Sequence, residues 1–313
     1  AKGTMEVKHL ITHRFTIERA MEAYDLILKG KEPYIGVLIT YPGAAEVVKE
    51  LPKEREVELK PLAESPFEQK KETIGIGVIG AGLFATTTLL PILNRQKGIR
   101  VKGIATATGH SGRYAGEKFG FEYCTTDYRE LLSDPEIDLV MVLTRHGSHA
   151  RFVVEALQAG KHVYVEKPLA INEEQLRAIV EAYKEAQKKG KRILFVGFNR
   201  RFSPFTRWLK ERFSGVQGPL TVHCTVNAGP VPAEHWVHDP EQGGGRIIGE
   251  VCHFVDLIQY LTGSVPVRVY AETLDSEAYK PSDNVVITLK MANGAIGSIT
   301  YVASGDKAFP RER

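Results

Sequence analysis

Apolar runs and stretches of helical periodicity alternate through the middle of this chain. Runs suited to buried strands lie at residues 74–79, 101–105, 139–143, 162–165 and 193–196, with helical patterns between them. A short, continuous apolar run fits a strand covered on both faces. Alternation of such strands with helices predicts an α/β fold over residues 73–197, a Rossmann-type doubly wound parallel sheet with right-handed crossovers. Past residue 198 the pattern changes to longer strands at 220–227, 265–273, 284–291 and 295–302. The last two read as a hairpin through Ala292, Asn293 and Gly294. One helical stretch, 247–261, interrupts them. Residues 198–313 therefore read as an α+β domain with a mostly antiparallel sheet and helices on one face. The cleft between the two domains is the natural place for a substrate.

The first 72 residues are of another character. A short apolar run at 9–11, a helical pattern at 17–28 and a strand-like run at 34–40 are too little to bury a core of their own. From Glu46 to Glu72 the chain is rich in Lys, Glu and Pro, which predicts a solvated connector with a short helix near 44–51 and a domain boundary near Lys71.

Composition narrows the class. The chain has 313 residues, 43% of them hydrophobic, enough for about two domains with substantial cores. Its formal charge of +3 is too small to argue for a nucleic-acid partner. Cys124, Cys224 and Cys252 are too widely spaced for a metal pair or a disulfide framework, so no metal is expected and a reducing, cytoplasmic setting fits. No apolar run is long enough to cross a bilayer, and no membrane partner is expected.

Chemistry enters with Lys167, in the stretch KHVYVEKPLA. It stands where an apolar β-type run ends, between Glu166 and Pro168, and partial desolvation at such a place helps an amine exchange protons. Taken alone, Lys167 is equally one of many surface lysines and Pro168 a strand stop. Upstream, the run 74–79 leads into Gly80, Ala81, Gly82, Leu83, Phe84 and Ala85, after which the pattern turns helical. A glycine turn between a strand and a helix aims free N–H groups and the positive helix end at one point, as a dinucleotide pyrophosphate requires. Gly80 would make the tight turn, Gly82 would admit the phosphates, and Ala85 would pack helix on strand. An acid about 20 residues further on usually holds the ribose hydroxyls of NAD. Here the second strand runs into Thr106, Thr108, Ser111 and Arg113 with no carboxylate, a set able to accept a 2′-phosphate, so NADP is expected as readily as NAD. The other reading is a solvated loop whose Arg113 touches nothing.

A third group lies in HWVHDPEQGGGRIIGEVCHFVDLIQYL. Glu250, His253 and Asp256 are three apart and would share one helical face, where flanking carboxylates could hold the histidine in one tautomer near neutral pH. A polar face on an amphipathic helix gives the same spacing.

GVIGAGLFA, VEKPLA, VGFNRRFSP and GGGRIIGEVCHFVD, in that order, resemble the family of glucose-fructose oxidoreductase and inositol dehydrogenase (Gfo/Idh/MocA) over residues 73–302. The resemblance implies an NAD(P)-dependent oxidoreductase of sugars, cyclitols or related polyols. In that family the lysine at the place of Lys167 lies beside both the nicotinamide ribose and the reacting oxygen, and Lys167–Pro168 is expected to be cis. His253 matches the histidine that moves the hydroxyl proton, and Asp256 an acid that follows it. Gly249 departs from the pattern, because many relatives carry an acid or Asn there, which leaves Glu250 or a water to serve. The segment TRHGSHA keeps the usual histidine as His149, with Thr144, Arg145 and His146 expected near cofactor or substrate. Arg201, Trp236 and His238 are expected substrate contacts.

The first 42 residues resemble something else, the closing part of a zinc-type medium-chain alcohol dehydrogenase. That implies an alcohol-dehydrogenase-like domain in the same parent chain, a two-enzyme fusion, with the second domain incomplete at its end. An open sheet face would favour a homo-oligomer. Two rival activities follow from the same motifs: a glycosidase working through transient oxidation with retained cofactor, and a non-catalytic or truncated dinucleotide-binding module.

Overall fold

A computed structural model describes residues 10–30, 32–41, 56–58, 73–274, 283–306 and 308–312. The expected short helix at 44–51 and the boundary near Lys71 lie outside these residues. Contacts divide the chain into two compact units, Ala1–Arg55 and Glu56–Arg313.

In the first unit, strands β1 (Ile11–Thr16) and β2 (Gly36–Thr40) pair in parallel and helix α1 (Ala20–Lys29) connects them. Gly30 ends α1 in the left-handed conformation, φ 57°, and its N–H caps the Leu26 carbonyl at 3.1 Å. Only Ala23 and Leu26 of α1 are buried, while Met21 and Leu28 face out.

The second unit begins with a seven-stranded sheet. Its strands are β3 (Glu56–Glu58), β4 (Ile74–Ile79), β5 (Ile99–Ala105), β6 (Tyr123–Thr125), β7 (Leu139–Val142), β8 (His162–Val165) and β9 (Leu194–Val196), in spatial order β3-β6-β5-β4-β7-β8-β9. Six are parallel, and β3 is an antiparallel edge on β6. Two of these strands, β3 and β6, did not stand out in the sequence: each has three residues, too few to show a pattern, and β3 falls in the stretch read as connector. On one face the core joins Val140, Val142, Val163 and Val165 to Phe152, Val153 and Leu157 of α5 (His149–Gln158) and Ile179 of α6 (Glu173–Lys189). On the other it joins Ile76, Val78 and Ile104 to Leu90 of α2 (Leu90–Leu93) and to Ala115 and Phe119 of α3 (Gly109–Phe119). A short helix, α4 (Tyr128–Ser133), leads from β6 towards β7. Strand order reverses between β4 and β7, and the loops after those two strands open into the crevice where such sheets bind ligands.

Helix α7 (Pro204–Phe213) leads to the second sheet, with strands β10 (Thr221–Asn227), β11 (Pro266–Thr273), β12 (Asn284–Met291) and β13 (Ile296–Val302) in the order β10-β13-β12-β11. β12 pairs antiparallel with β11 and β13, while β10 runs parallel to β13. The expected hairpin is present, with Gly294 at φ 91°. The helical stretch 247–261 is realised as a wide, π-wound turn, Ile247–Val251, running into α8 (Cys252–Thr262). Phe254 and Ile258 of α8 cover Val285, Ile287, Leu289 and Ile299. The outer strand β11 is exposed along its whole length. No helix among the described residues is long and apolar enough to cross a membrane.

Candidate active site

The glycine turn has the geometry a phosphate needs. Gly80 takes φ 99°, and a Cβ there would stand 2.7 Å from the Leu143 carbonyl oxygen, so neither its conformation nor its space admits a side chain. Around Gly82 a Cβ would meet nothing within 4 Å. The first bond of the following helix runs from Thr86 N–H to Gly82 O at 3.0 Å, which leaves the N–H groups of Leu83, Phe84 and Ala85 ahead of the helical ladder. Leu83 and Phe84 are exposed and Ala85 is buried in the core. Open space over a glycine beside free N–H groups fits the pyrophosphate of a dinucleotide.

The end of β5 differs from expectation. Thr106 is buried and its Oγ1 donates to the Thr108 carbonyl at 2.8 Å. Ser111 Oγ donates to the same carbonyl at 3.0 Å and shares a hydrogen bond with Thr108 Oγ1 at 2.7 Å. Arg113 lies on the exposed face of α3, its Nε donating to Glu117 at 2.8 Å. Thr106 and Ser111 meet on the Thr108 carbonyl, and Arg113 does not join them. The hydroxyls satisfy the start of α3, and the i,i+4 spacing gives Arg113 a carboxylate on its own helix.

The loop after β7 reaches across to the second domain. Thr144 Oγ1 and Ser148 Oγ hydrogen-bond at 2.7 Å. Arg145 donates to Gln242 Oε1 at 2.5 Å, and its guanidinium lies 5.6 Å from the Trp236 ring. His146 Nδ1 stands 2.9 Å from Gly243 O, and its ring meets Trp236 edge-on with centroids 4.8 Å apart. His149, expected at the cofactor, is sealed at 0% exposure. Its Nδ1 lies 2.7 Å from Pro168 O and Nε2 3.0 Å from Thr144 O. Both carbonyls only accept, and burial pushes the ring's pKa down against the pull of those two contacts. His149 therefore acts through Pro168.

Lys167 is held across the cleft. Its Nζ donates to the carbonyl of Gly249 at 2.8 Å, and Lys167–Pro168 is a cis peptide. Glu166 accepts from Tyr164 Oη at 2.7 Å and from the Lys167 N–H at 3.3 Å, and burial pushes its carboxyl up from the usual range. The residue that departs from the family pattern, Gly249, thus contributes its backbone.

The carboxylates do not flank His253 as the spacing suggested. Burial opposes the charge on Glu250, but Arg246, at 2.9 and 3.2 Å, and Tyr301 Oη, at 2.6 Å, outweigh it and hold the carboxyl below its ordinary value. Arg246 is itself 1% exposed and also donates to Gly229 O at 2.8 Å. Asp256 is buried in a bidentate pair with Arg201, whose Nε donates at 3.0 Å. The cause is the π-wound turn, which places one more residue in the turn than an α-helix and rotates Glu250 off the face of His253 and Asp256. His253 is left with Nδ1 sealed and without a hydrogen-bond partner among the described residues, its ring edge-on to Phe198 at 6.0 Å. Burial first, then the charges of Lys167 and Arg200, push its pKa down to about 3.

Two expected substrate contacts have partners of their own within the chain. Arg201 spends its guanidinium on Asp256. His238 is turned inward by the tight turn Trp236–His238, its side chain 4% exposed and 3.9 Å from Asp283. Trp236 stays with His146 and Arg145. Arg246, Tyr301, Gln242 and the Gly243 carbonyl went unread in the sequence. Of these, only the i,i+4 spacing of Arg246 and Glu250 offered a signal.

Comparison with known proteins agrees with this architecture. Residues 74–198 match the model of an oxidoreductase family with an NAD-binding Rossmann fold, and residues 214–308 match the Gfo/Idh/MocA C-terminal domain. Myo-inositol 2-dehydrogenase of Thermotoga maritima is 32% identical over 230 residues, 72% of this chain and 67% of that protein. An uncharacterized oxidoreductase of Bacillus subtilis, YrbE, is 31% identical over 231 residues, 71% of this chain and 65% of its own length. The chain thus spans about two thirds of the curated relatives' length. Among solved structures, a probable dehydrogenase from Thermotoga maritima superposes with TM-score 0.64 at 28% identity, covering 74% of this chain and 69% of that one. A levoglucosan dehydrogenase in complex with NADH and levoglucosan gives TM-score 0.64 at 26% identity, covering 75% and 68%. Two consecutive domain models, a relative of this identity and coverage, and the paired architecture lead to one conclusion: the chain belongs to the Gfo/Idh/MocA oxidoreductase family.

Proposed function

We propose that the chain is an NAD(P)-dependent oxidoreductase acting on a CH–OH group of a sugar, cyclitol or related polyol. The observation that carries this reading is the Lys167 ammonium, held on the Gly249 carbonyl between the dinucleotide domain and the helix that bears His253. Residues Gly80 to Ala85 would hold the pyrophosphate, and nicotinamide supplies the hydride acceptor in oxidation and the donor in reduction. Lys167 Nζ donates a hydrogen bond to the reacting oxygen and stabilises its developing negative charge. His253 takes the hydroxyl proton at Nε2 in oxidation and returns it in reduction. Arg201 and Arg246 neutralise Asp256 and Glu250, which makes both acids positioning groups for the helix. Glu166 anchors the Lys167 backbone, and His149 anchors Pro168.

Relatives named as inositol and levoglucosan dehydrogenases favour net oxidation over the glycosidase and non-catalytic readings. NADP and NAD are both accepted in this reading, with Thr106 and Arg113 contributing little to the choice. The parallel β–α–β unit of residues 11–40 supports the likeness to the close of an alcohol-dehydrogenase domain. Fluorescence titration with NADH and NADPH, followed by a polyol screen, tests the function. Lys167→Met should retain dinucleotide binding and lose about 10³-fold in turnover. Unchanged turnover in that variant would remove Lys167 from the chemistry.

A further inference from the structure

His146 is a polar group of the cleft that the mechanism above leaves unused. Its ring is 8% exposed and fixed on two sides, by the Trp236 edge and by Gly243 O at 2.9 Å from Nδ1. A carbonyl oxygen only accepts, so Nδ1 carries the ring proton. Burial first, with Lys167 and His149 adding to it, drives the pKa down to about 4 against the pull of that bond and of Glu250. The ring is therefore neutral from weakly acidic pH upward, and Nε2 is a bare lone pair. That atom has no hydrogen-bond partner among the described residues, yet it is not among the unpartnered atoms sealed from solvent. It therefore keeps some contact with solvent.

What seats the ring there is Gly249. A Cβ on residue 249 would come within 2.9 Å of His146 Cε1 and 3.4 Å of Nδ1, so the imidazole occupies space that any side chain at 249 would claim. The same glycine presents its carbonyl to Lys167 Nζ at 2.8 Å. A donor, Lys167, and an acceptor, His146 Nε2, therefore stand against a single residue. A lone-pair acceptor rejects carboxylates and phosphates, which only accept, and the nearby Lys167 charge disfavours an amine. The group left is a neutral hydroxyl. Hydroxyls on neighbouring carbons are the nearest pair a polyol can offer to two groups set against one glycine.

We propose that His146 determines substrate specificity: its Nε2 accepts a hydrogen bond from the hydroxyl on the carbon adjacent to the one that reacts at Lys167, so the enzyme selects vicinal diols. The inference rests on the oxidoreductase reading and names the substrate pattern within it. It is tested with the purified chain, saturating NAD or NADP, and matched probes: glucose against 2-deoxyglucose, trans-cyclohexane-1,2-diol against cyclohexanol, and myo-inositol as a cyclitol. Wild type should favour each diol over its deoxy partner by about 30-fold or more in kcat/KM. His146→Phe removes the acceptor, and His146→Asn keeps a donor for Gly243 O while its shorter side chain withdraws the acceptor from the Nε2 position. Each should bring the diol-to-deoxy ratio close to one, and NADH titration reports whether each variant is folded. Should the Phe variant fail to bind NADH, the Asn variant decides by the same ratio. An unchanged ratio in a folded variant overturns the proposal, as does a loss confined to NADH affinity, which would give His146 to the cofactor. No turnover of any probe by wild type overturns the oxidoreductase reading together with it.

Discussion

The two sides of the cleft handle their polar groups differently. On the dinucleotide side, Lys167, His146 and His149 are all held by backbone carbonyls, those of Gly249, Gly243 and Pro168. On the helix side, the acids are consumed by arginines, Glu250 by Arg246 and Asp256 by Arg201, and His253 keeps a sealed Nδ1 with no partner among the described residues. A carbonyl orients a donor without cancelling its charge, whereas a carboxylate would neutralise it. Lys167 is thus fixed in place without a counter-charge on that bond, and burial keeps the His146 and His253 imidazoles neutral at neutral pH. The reactive pair combines a charge that is not cancelled with a base that nothing has protonated.

The largest effect expected from disturbing this division is at Arg246. Arg246→Ala empties the place of a fully buried guanidinium, leaves Gly229 O without its donor and Glu250, 30% exposed, without its cation, and should lower unfolding stability in urea by about 3 kcal/mol. Arg201→Ala leaves Asp256, 6% exposed, without its cation, but solvent reaches the pair through Arg201, a third exposed, and the loss should be about 2 kcal/mol. Equal losses at the two arginines would mean that the pairs are not distinguished by burial.

The neutral imidazoles predict a pH dependence whose sign follows from their depressed values, about 4 for His146 and about 3 for His253. An unfolded histidine titrates near 6.5, at about its ordinary value. Between that pH and the folded values the unfolded chain binds more protons, so their contribution is complete above about pH 6.5 and is lost as the pH falls. Each should remove up to about 1.4 kcal/mol per pH unit below 6.5. Urea titrations at pH 7 and pH 5 with wild type and His253→Gln isolate one such slope, because the variant should be the less acid-sensitive. The smallest effect is expected at Arg113, which faces Glu117 on the outer side of α3. Arg113→Glu should change the NADPH-to-NADH affinity ratio less than about threefold, and a tenfold fall would restore Arg113 to the 2′-phosphate.

Local pattern carried most of the fold into view. Strands β4, β8 and β12 have the bounds that their apolar runs suggested, and the glycine turn after β4 declared itself by standing between a strand and a helix. The partners of the charged side chains were not legible in the same way. Arg201 and Asp256 meet across 55 positions of sequence, and nothing near either residue announces the other. The faces of Glu250 and His253 were read with α-helical spacing, and the π-wound turn between them removed its basis. Thr106 and His238 failed for another reason: polar side chains close to a turn serve the backbone or the interior as readily as a ligand.

His253 stands neutral beside Lys167, with no carboxylate among the described residues to fix its tautomer. Histidine-selective ¹⁵N NMR measures this directly in the protein without substrate, with His253→Gln assigning the resonance. The account predicts that the His253 ring remains unprotonated throughout the titration from pH 8 down to pH 5. A midpoint near 6.5, with both ring nitrogens protonated below it, would contradict it.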